Sequence, residues 1–239
     1  MRRAVALVAV LLIFVTAPFA WAGHEKDQTF AEHAKRGTAL PKAAQSVQAL
    51  SWNGRNHCTI SSINDKSYVQ VEMPDRTDYG KRVVGLWLTA AHCVEQEQAF
   101  EIAGHAAFVV KADYLLDVAV MGTYDWALPM LEVSDDAPQY GDFVEMWGHP
   151  LGWDSLIYFK GYVSNPSMHE ADMEREDMRI ALYNLDSAPG SSGSAVLDKH
   201  HRIVGMLQFA FRDTGFGMVR GGVTYSDLKR FLASYLPEA

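Results

Sequence analysis

From His57 onward the chain is a series of short apolar runs separated by turn residues. Val69, Val71 and Met73 alternate with Gln70 and Glu72, the period-two pattern of a strand buried on one face. Runs at 57–63, 82–88, 100–103, 106–111 and 118–122 predict further strands. Asp135-Asp136-Ala137-Pro138 interrupts the series. After it, runs at 142–147, 156–164, 178–185, 194–198, 203–211 and 216–223 predict a second set. About six strands on each side of one break argue an all-β fold. Its expected form is two six-stranded antiparallel β-barrels, over about 57–134 and 138–223. The tail changes period. Leu228, Phe231, Leu232, Tyr235 and Leu236 follow helical spacing, and Thr224 with Asp227 has capping-box character. This predicts a C-terminal amphipathic α-helix over 225–236, packed on the second barrel.

The other end reads differently. Met1-Arg2-Arg3 is followed by an apolar run to about Ala20, and Ala20-Trp21-Ala22 is a small-x-small site. A basic start, apolar middle and small-residue end are the layout of a secretory signal peptide over 1–22. Residues 23–56 are polar and weakly patterned, and read as an arm, a pro-segment or a short helix around Phe30 to Lys35. The expected location is secreted or periplasmic, with no membrane contact after leader cleavage. Such a compartment permits a disulfide. The only two cysteines, Cys58 and Cys93, allow a single intramolecular pairing, the alternative being two buried thiols.

Charge narrows the partners. Lys and Arg number 21 against 29 Asp and Glu, a net charge of −8, and loss of the leader's two arginines makes it more negative. An acidic chain without basic runs is a poor nucleic-acid binder and a better neighbour for cationic peptides. The acidic stretch 168–177 reads as a solvated loop, because its spacing lacks the order of a calcium loop. His200-His201 reads as an exposed turn with no metal partners in view.

Three places carry residues suited to chemistry. His92 ends the run that closes in Thr89-Ala90-Ala91, where a ring beside small residues is free to move a proton. Asp117 heads the apolar run Val118-Ala119-Val120-Met121, with Asp113 as a competing acid four residues earlier. Ser192 stands in Gly190-Ser191-Ser192-Gly193-Ser194, a turn whose glycines allow a serine oxygen to be exposed and backbone N–H groups to be approached. A base, an orienting acid and a nucleophile thus occur in the order His, Asp, Ser. An α/β-hydrolase would run Ser, Asp, His with strand–helix alternation.

These motifs resemble those of the trypsin-like serine peptidases. Thr89-Ala90-Ala91-His92-Cys93 is similar to their histidine motif, Asp117-Val118-Ala119-Val120 to their acid motif, and Gly190 to Ser194 to their nucleophile motif. Gly141-Asp142-Phe143-Val144, Gly148-His149-Pro150-Leu151-Gly152 and Gly161-Tyr162-Val163-Ser164 resemble the start of the second barrel in bacterial HtrA-like and glutamyl-endopeptidase-like members. The resemblance covers about 57–236. It implies a serine endopeptidase acting on protein or peptide substrates without cofactor or metal. Ser192 would be the nucleophile, His92 the general base and Asp117 its orienting acid, with the N–H groups of Gly190 and Ser192 as the oxyanion hole. It also implies a Cys58–Cys93 bridge, because Cys58-Thr59-Ile60-Ser61-Ser62-Ile63-Asn64 resembles the family's cysteine strand, with 65–82 as an inserted hairpin.

Some positions depart from the family. Ser191 stands where animal trypsins hold the aspartate that pairs with a newly cut N-terminus, so activation by that ion pair is not expected. Specificity stays open. Asp186 occupies the place of the acidic floor of a trypsin S1 pocket, with Ala210 and Gly217 as its small walls, which would favour Lys or Arg at P1. His149 or Arg220 would instead favour an acidic P1 residue. A catalytically silent binding module on the same fold, and an esterase using the same triad, are the alternatives.

Overall fold

The computed structural model describes residues 40–63, 83–96, 99–124, 126–169, 179–210, 219–233 and 235. Twelve strands form two closed antiparallel barrels of six. The first holds β1 (Val47–Trp52), β2 (Arg55–Ser62), β3 (Gly85–Thr89), β4 (Phe100–Ile102), β5 (His105–Asp113) and β6 (Val118–Thr123), in the order β1-β2-β3-β6-β5-β4. The second holds β7 (Phe143–Gly148), β8 (Ile157–His169), β9 (Arg179–Leu185), β10 (Ala195–Leu197), β11 (Ile203–Ala210) and β12 (Val219–Val223), in the order β10-β11-β12-β9-β8-β7. Closure leaves neither sheet with a free edge. Among the described residues no helix is long and apolar enough to cross a membrane.

The burial pattern explains the sequence texture. Every residue of β3 and β6 is buried, because one face fills the barrel and the other is covered. Such strands read as continuous apolar runs. Trp87 lies at the centre, stacked on Trp126 at 5.0 Å, with its indole N–H donated to Thr123 Oγ1 at 3.0 Å. In β8, buried Gly161 and Val163 alternate with exposed Lys160, Tyr162 and Ser164, the half-buried case.

The barrel boundary differs from the sequence expectation. The first barrel opens with β1 at Val47–Trp52, preceded by a short helix α1 (Lys42–Gln45), inside the stretch read as an arm. A register shift between Leu50 and Ser51 breaks its alternation, so the period-two signal is missing. The expected strand at 69–73, the inserted hairpin, the short helix near residue 30 and the leader lie outside the described residues.

The C-terminal helix α2 (Tyr225–Leu232) is capped as expected. Thr224 Oγ1 accepts from the Asp227 N–H at 3.3 Å, a cap worth about 1 kcal/mol. Its apolar stripe is Leu228, Phe231 and Leu232. The stripe joins a core shared by both barrels rather than the second alone. Leu228, Phe231 and Leu232 belong to the same buried cluster as Leu86, Trp87 and Val120, and Lys111 of β5 lies 5.1 Å over the Phe231 ring. Tyr225 also donates to the carbonyl of Ser134, in the connection between barrels, at 2.6 Å.

Candidate active site

Strand pairing brings His92 and Asp117 together. β3 and β6 are antiparallel with Thr89 opposite Ala119. His92 follows the end of β3 in a 3-10 turn (Ala91–Val94), and Asp117 immediately precedes β6, so both emerge at the same barrel end. The Asp117 carboxylate engages His92 twice. Oδ1 accepts the His92 backbone N–H at 2.8 Å, and Oδ2 lies 2.8 Å from the ring Nδ1. An ionised carboxylate only accepts, so Nδ1 carries the proton and Nε2 presents its lone pair. The His92 ring is half exposed, which leaves that lone pair accessible.

Asp117 holds a left-handed backbone, φ 53°, a sparsely populated region for a non-glycine residue and a source of local strain. Two groups fix it. Asp113 Oδ1 accepts from the N–H groups of Leu115 and Leu116 at 2.9 and 3.0 Å, closing the loop before it. Asp113 therefore builds the turn and does not engage His92. From the other barrel, Gln208 Nε2 donates to the carbonyls of Leu116 and Asp117 at 2.6 and 2.8 Å. Gln208 is buried, in an otherwise apolar strand.

Ser192 sits on a turn between β9 and β10. Gly190 and Gly193 are left-handed, with φ 96° and 86°. A Cβ at Gly190 would fall 2.7 Å from the His149 carbonyl oxygen, and one at Gly193 2.3 Å from that of Thr59. Both positions therefore require glycine by conformation and by space. The Ser191 N–H bonds to Ala188 O at 3.0 Å and the Gly193 N–H to Leu207 O at 2.8 Å. The N–H groups of Gly190 and Ser192 donate to no described residue. Among the described residues, nothing competes with an anion for them. The Ser192 hydroxyl donates to the carbonyl of Gln208 at 3.2 Å, not to His92.

Cys58 and Cys93 are bridged, with Cα atoms 6.2 Å apart. The bridge anchors the turn that carries His92. The sulfur atoms also lie near the His92 ring, but a bridged pair is not a metal-ligating set. Next to Cys58, buried Thr59 joins the barrels. Its N–H donates to Ser192 O and its hydroxyl to Gly190 O, each at 2.9 Å, while Oγ1 accepts the His149 N–H at 2.9 Å. The Thr59 carbonyl accepts from Thr89 Oγ1, also at 2.9 Å. One residue thus connects the bridged strand to the serine turn.

Thr59 and Gln208 were not identified from sequence as site residues. One signal existed: Gln208 is the lone polar side chain in Ile203–Ala210.

The proposed specificity residues differ in exposure and in partners. Asp186 and Ala210 are exposed, and Gly217 lies outside the described residues. Arg220 is part-buried and bonds Ser187. His149 is buried. Burial lowers its pKa, partly offset by its bond to the Trp153 carbonyl and by Asp154. Its Nδ1 lies 3.1 Å from that carbonyl, so Nδ1 carries the proton, and Nε2 is buried with no partner among the described residues. A neutral, enclosed ring is no anion receptor. His201, expected in an open turn, meets the buried Glu145 carboxylate through Nδ1, and Tyr158 donates to the same carboxylate at 2.8 Å.

The profile of the trypsin-like peptidase domain matches residues 77–206, just over half of the chain. The chain belongs to that family. No curated protein matches it in sequence. Among solved structures it is similar to the Rv3671c protease from M. tuberculosis in its active form, at 18% identity and TM-score 0.61, covering 80% of this chain and 81% of that one. The HtrA-type protease AlgW with tripeptide aligns at 17% identity and TM-score 0.60, covering 82% of this chain and 62% of AlgW. A serine endoprotease from Yersinia pestis aligns at 17% identity and TM-score 0.59, covering 82% and 67%. At such identities the likeness is one of fold: the double barrel of serine proteases.

Proposed function

We propose that this protein is a secreted or periplasmic serine endopeptidase that cleaves protein or peptide substrates through an acyl-enzyme. The observation that carries the reading is the doubly engaged His92–Asp117 pair beside a serine turn with two N–H groups that donate to no described residue. Ser192 Oγ attacks the scissile carbonyl while its proton passes to His92 Nε2. Asp117 holds the ring and stabilises the imidazolium. The carbonyl oxygen, now anionic, takes the N–H groups of Gly190 and Ser192. His92 then protonates the leaving amine, and water repeats the sequence on the ester. No step calls for a metal or cofactor.

The leader-like start and the Cys58–Cys93 bridge support an oxidising compartment. Two charged groups lie near the serine turn: Asp186, next to Ser187, and Arg220, bonded to Ser187. Basic P1 preference follows if exposed Asp186 governs, acidic preference if Arg220 governs.

One observation favours a second reading, a catalytically silent binding module: the Ser192 hydroxyl is bonded to Gln208 O. Rotation about one side-chain torsion re-aims it, and catalytic hydrogen bonds often tighten only with substrate. Ser192→Ala decides. Casein hydrolysis should fall by about 10⁶-fold and fluorophosphonate labelling should vanish, with the thermal midpoint unchanged. An unlabelled wild-type protein would establish the silent module, and a variant that still cleaves would remove Ser192 as nucleophile. Comparing ester with amide substrates separates an esterase.

A further inference from the structure

Arg220 stands on β12 opposite Ala210 of β11 and Tyr183 of β9. Its Nε donates to Ser187 Oγ at 2.7 Å, Nη2 to Ser187 O at 3.3 Å and Nη1 to Val219 O at 3.2 Å. All three acceptors are neutral. Among the described residues no carboxylate pairs with this guanidinium. Asp186, adjacent to Ser187, is exposed and forms no ion pair with it. A part-buried cation without an anionic partner departs from the usual rule that such charges are paired.

Its place gives the absence a meaning. Ser187 is five residues before Ser192 on the same turn, which the Ser191 N–H to Ala188 O bond closes. On the other side, Ser192 Oγ leans on Gln208 O, and Ala210, the cross-strand neighbour of Arg220, is two residues further along that strand. The guanidinium therefore lies between the turn that presents the nucleophile and the strand beside it, about 7 Å along the strand from Gln208. A P1 side chain whose carbonyl is held at Ser192 would reach that interval.

We propose, on the reading that Ser192 is a peptidase nucleophile, that Arg220 is the specificity-determining residue and that the enzyme cleaves after acidic residues, Glu or Asp. The substrate carboxylate takes the place of the neutral Ser187 acceptors on the guanidinium fork. Charge-assisted, two-pronged bonds replace neutral ones. The Ser187 hydroxyl, released, donates to the same carboxylate. A Lys or Arg at P1 would place like charge against Arg220, and exposed Asp186 offsets little of that, because a solvated charge is screened. The overall acidity of the chain acts at longer range and does not set this contact.

The test uses the purified full chain with matched peptides carrying Glu, Gln, Leu or Lys at P1, while fluorophosphonate labelling of a separate aliquot reports whether Ser192 is reactive. Glu is expected to exceed its neutral isostere Gln by about 10²-fold in kcat/KM, with Lys slowest. In Arg220→Ala the Glu/Gln ratio should collapse toward one, and Arg220→Lys should restore part of it. Arg220 as a structural clamp alone would lower all substrates together and leave the ratio unchanged, which overturns the proposal. Should Arg220→Ala fail to fold, the wild-type ratio and Arg220→Lys still decide. A labelled wild-type enzyme that prefers Lys, or shows no Glu/Gln preference, overturns the specificity while the catalytic reading stands. A chain that never labels overturns both.

Discussion

The two barrels share a topology but hold their parts of the site by different means. In the first, His92 and Asp117 lie at the ends of paired, fully buried strands, and the Cys58–Cys93 bridge anchors the histidine turn. In the second, Ser192 rides on a turn whose shape comes from two left-handed glycines and from bonds to the opposite barrel. The base and acid are placed by register, the nucleophile by backbone conformation. Each barrel also lends the other a polar side chain, Thr59 in one direction and Gln208 in the other. Binding and catalytic residues on loops over a rigid scaffold follow the same economy.

Substitutions probe this difference. The largest effect after loss of the nucleophile is expected from Asp117→Asn. It leaves the loop in place but removes the acceptor that fixes the His92 tautomer, and kcat should fall by about 10⁴-fold. A fall below tenfold would show that register alone orients the ring. Next comes the bridge. Cys58→Ala with Cys93→Ala opens a loop with a sequence separation of 35. Denaturant unfolding should show a loss of about 3–4 kcal/mol. An unchanged midpoint would mean that strand pairing by itself secures the first barrel's half of the site.

Smaller effects should separate the reciprocal contacts. Thr59→Val removes a hydroxyl that serves the part-buried Gly190 O and the buried His149 N–H, leaving both without that partner, at a cost of about 1–3 kcal/mol in stability. Gln208→Leu releases the strained Asp117 turn and should lower kcat more than it raises KM. Equal losses from both variants in stability and kcat would erase the distinction between the barrels. The smallest effect concerns pH. His149 has a folded-state pKa below its unfolded value, because burial disfavours the imidazolium. Its contribution is complete above about pH 6.5, and declines as pH falls from there toward the lower folded value, where the unfolded chain binds the proton first. His149→Gln should flatten that part of a stability-against-pH curve, and a slope that persists would assign it to other groups.

Legibility followed the range of the interactions. β2 to β6 in the first barrel, all six strands of the second and the C-terminal helix were readable, because period, turn residues and caps are local. β1 was not, since the irregularity at Leu50 and Ser51 masks its alternation. The helix was predicted, but not its contact with Lys111 of the first barrel. His92, Asp117 and Ser192 stood out through short local motifs. Thr59 and Gln208 did not, because their partners lie 131 and 91–92 residues away.

The sequence by itself determined the strand series, the glycine turn, the order His, Asp, Ser and the only possible cysteine pair. Each of these is fixed by backbone preference or residue identity over a few positions. Tertiary structure alone decided that Asp117 meets both the ring and the backbone of His92, that Asp113 closes a turn instead, and that Ser192 rests on Gln208. It also decided which charge beside the serine is part-buried and which is in water. Burial and hydrogen-bond geometry are properties of chain segments brought together, so the contrast between exposed Asp186 and Arg220, part-buried and without a carboxylate partner among the described residues, exists only once the two barrels close.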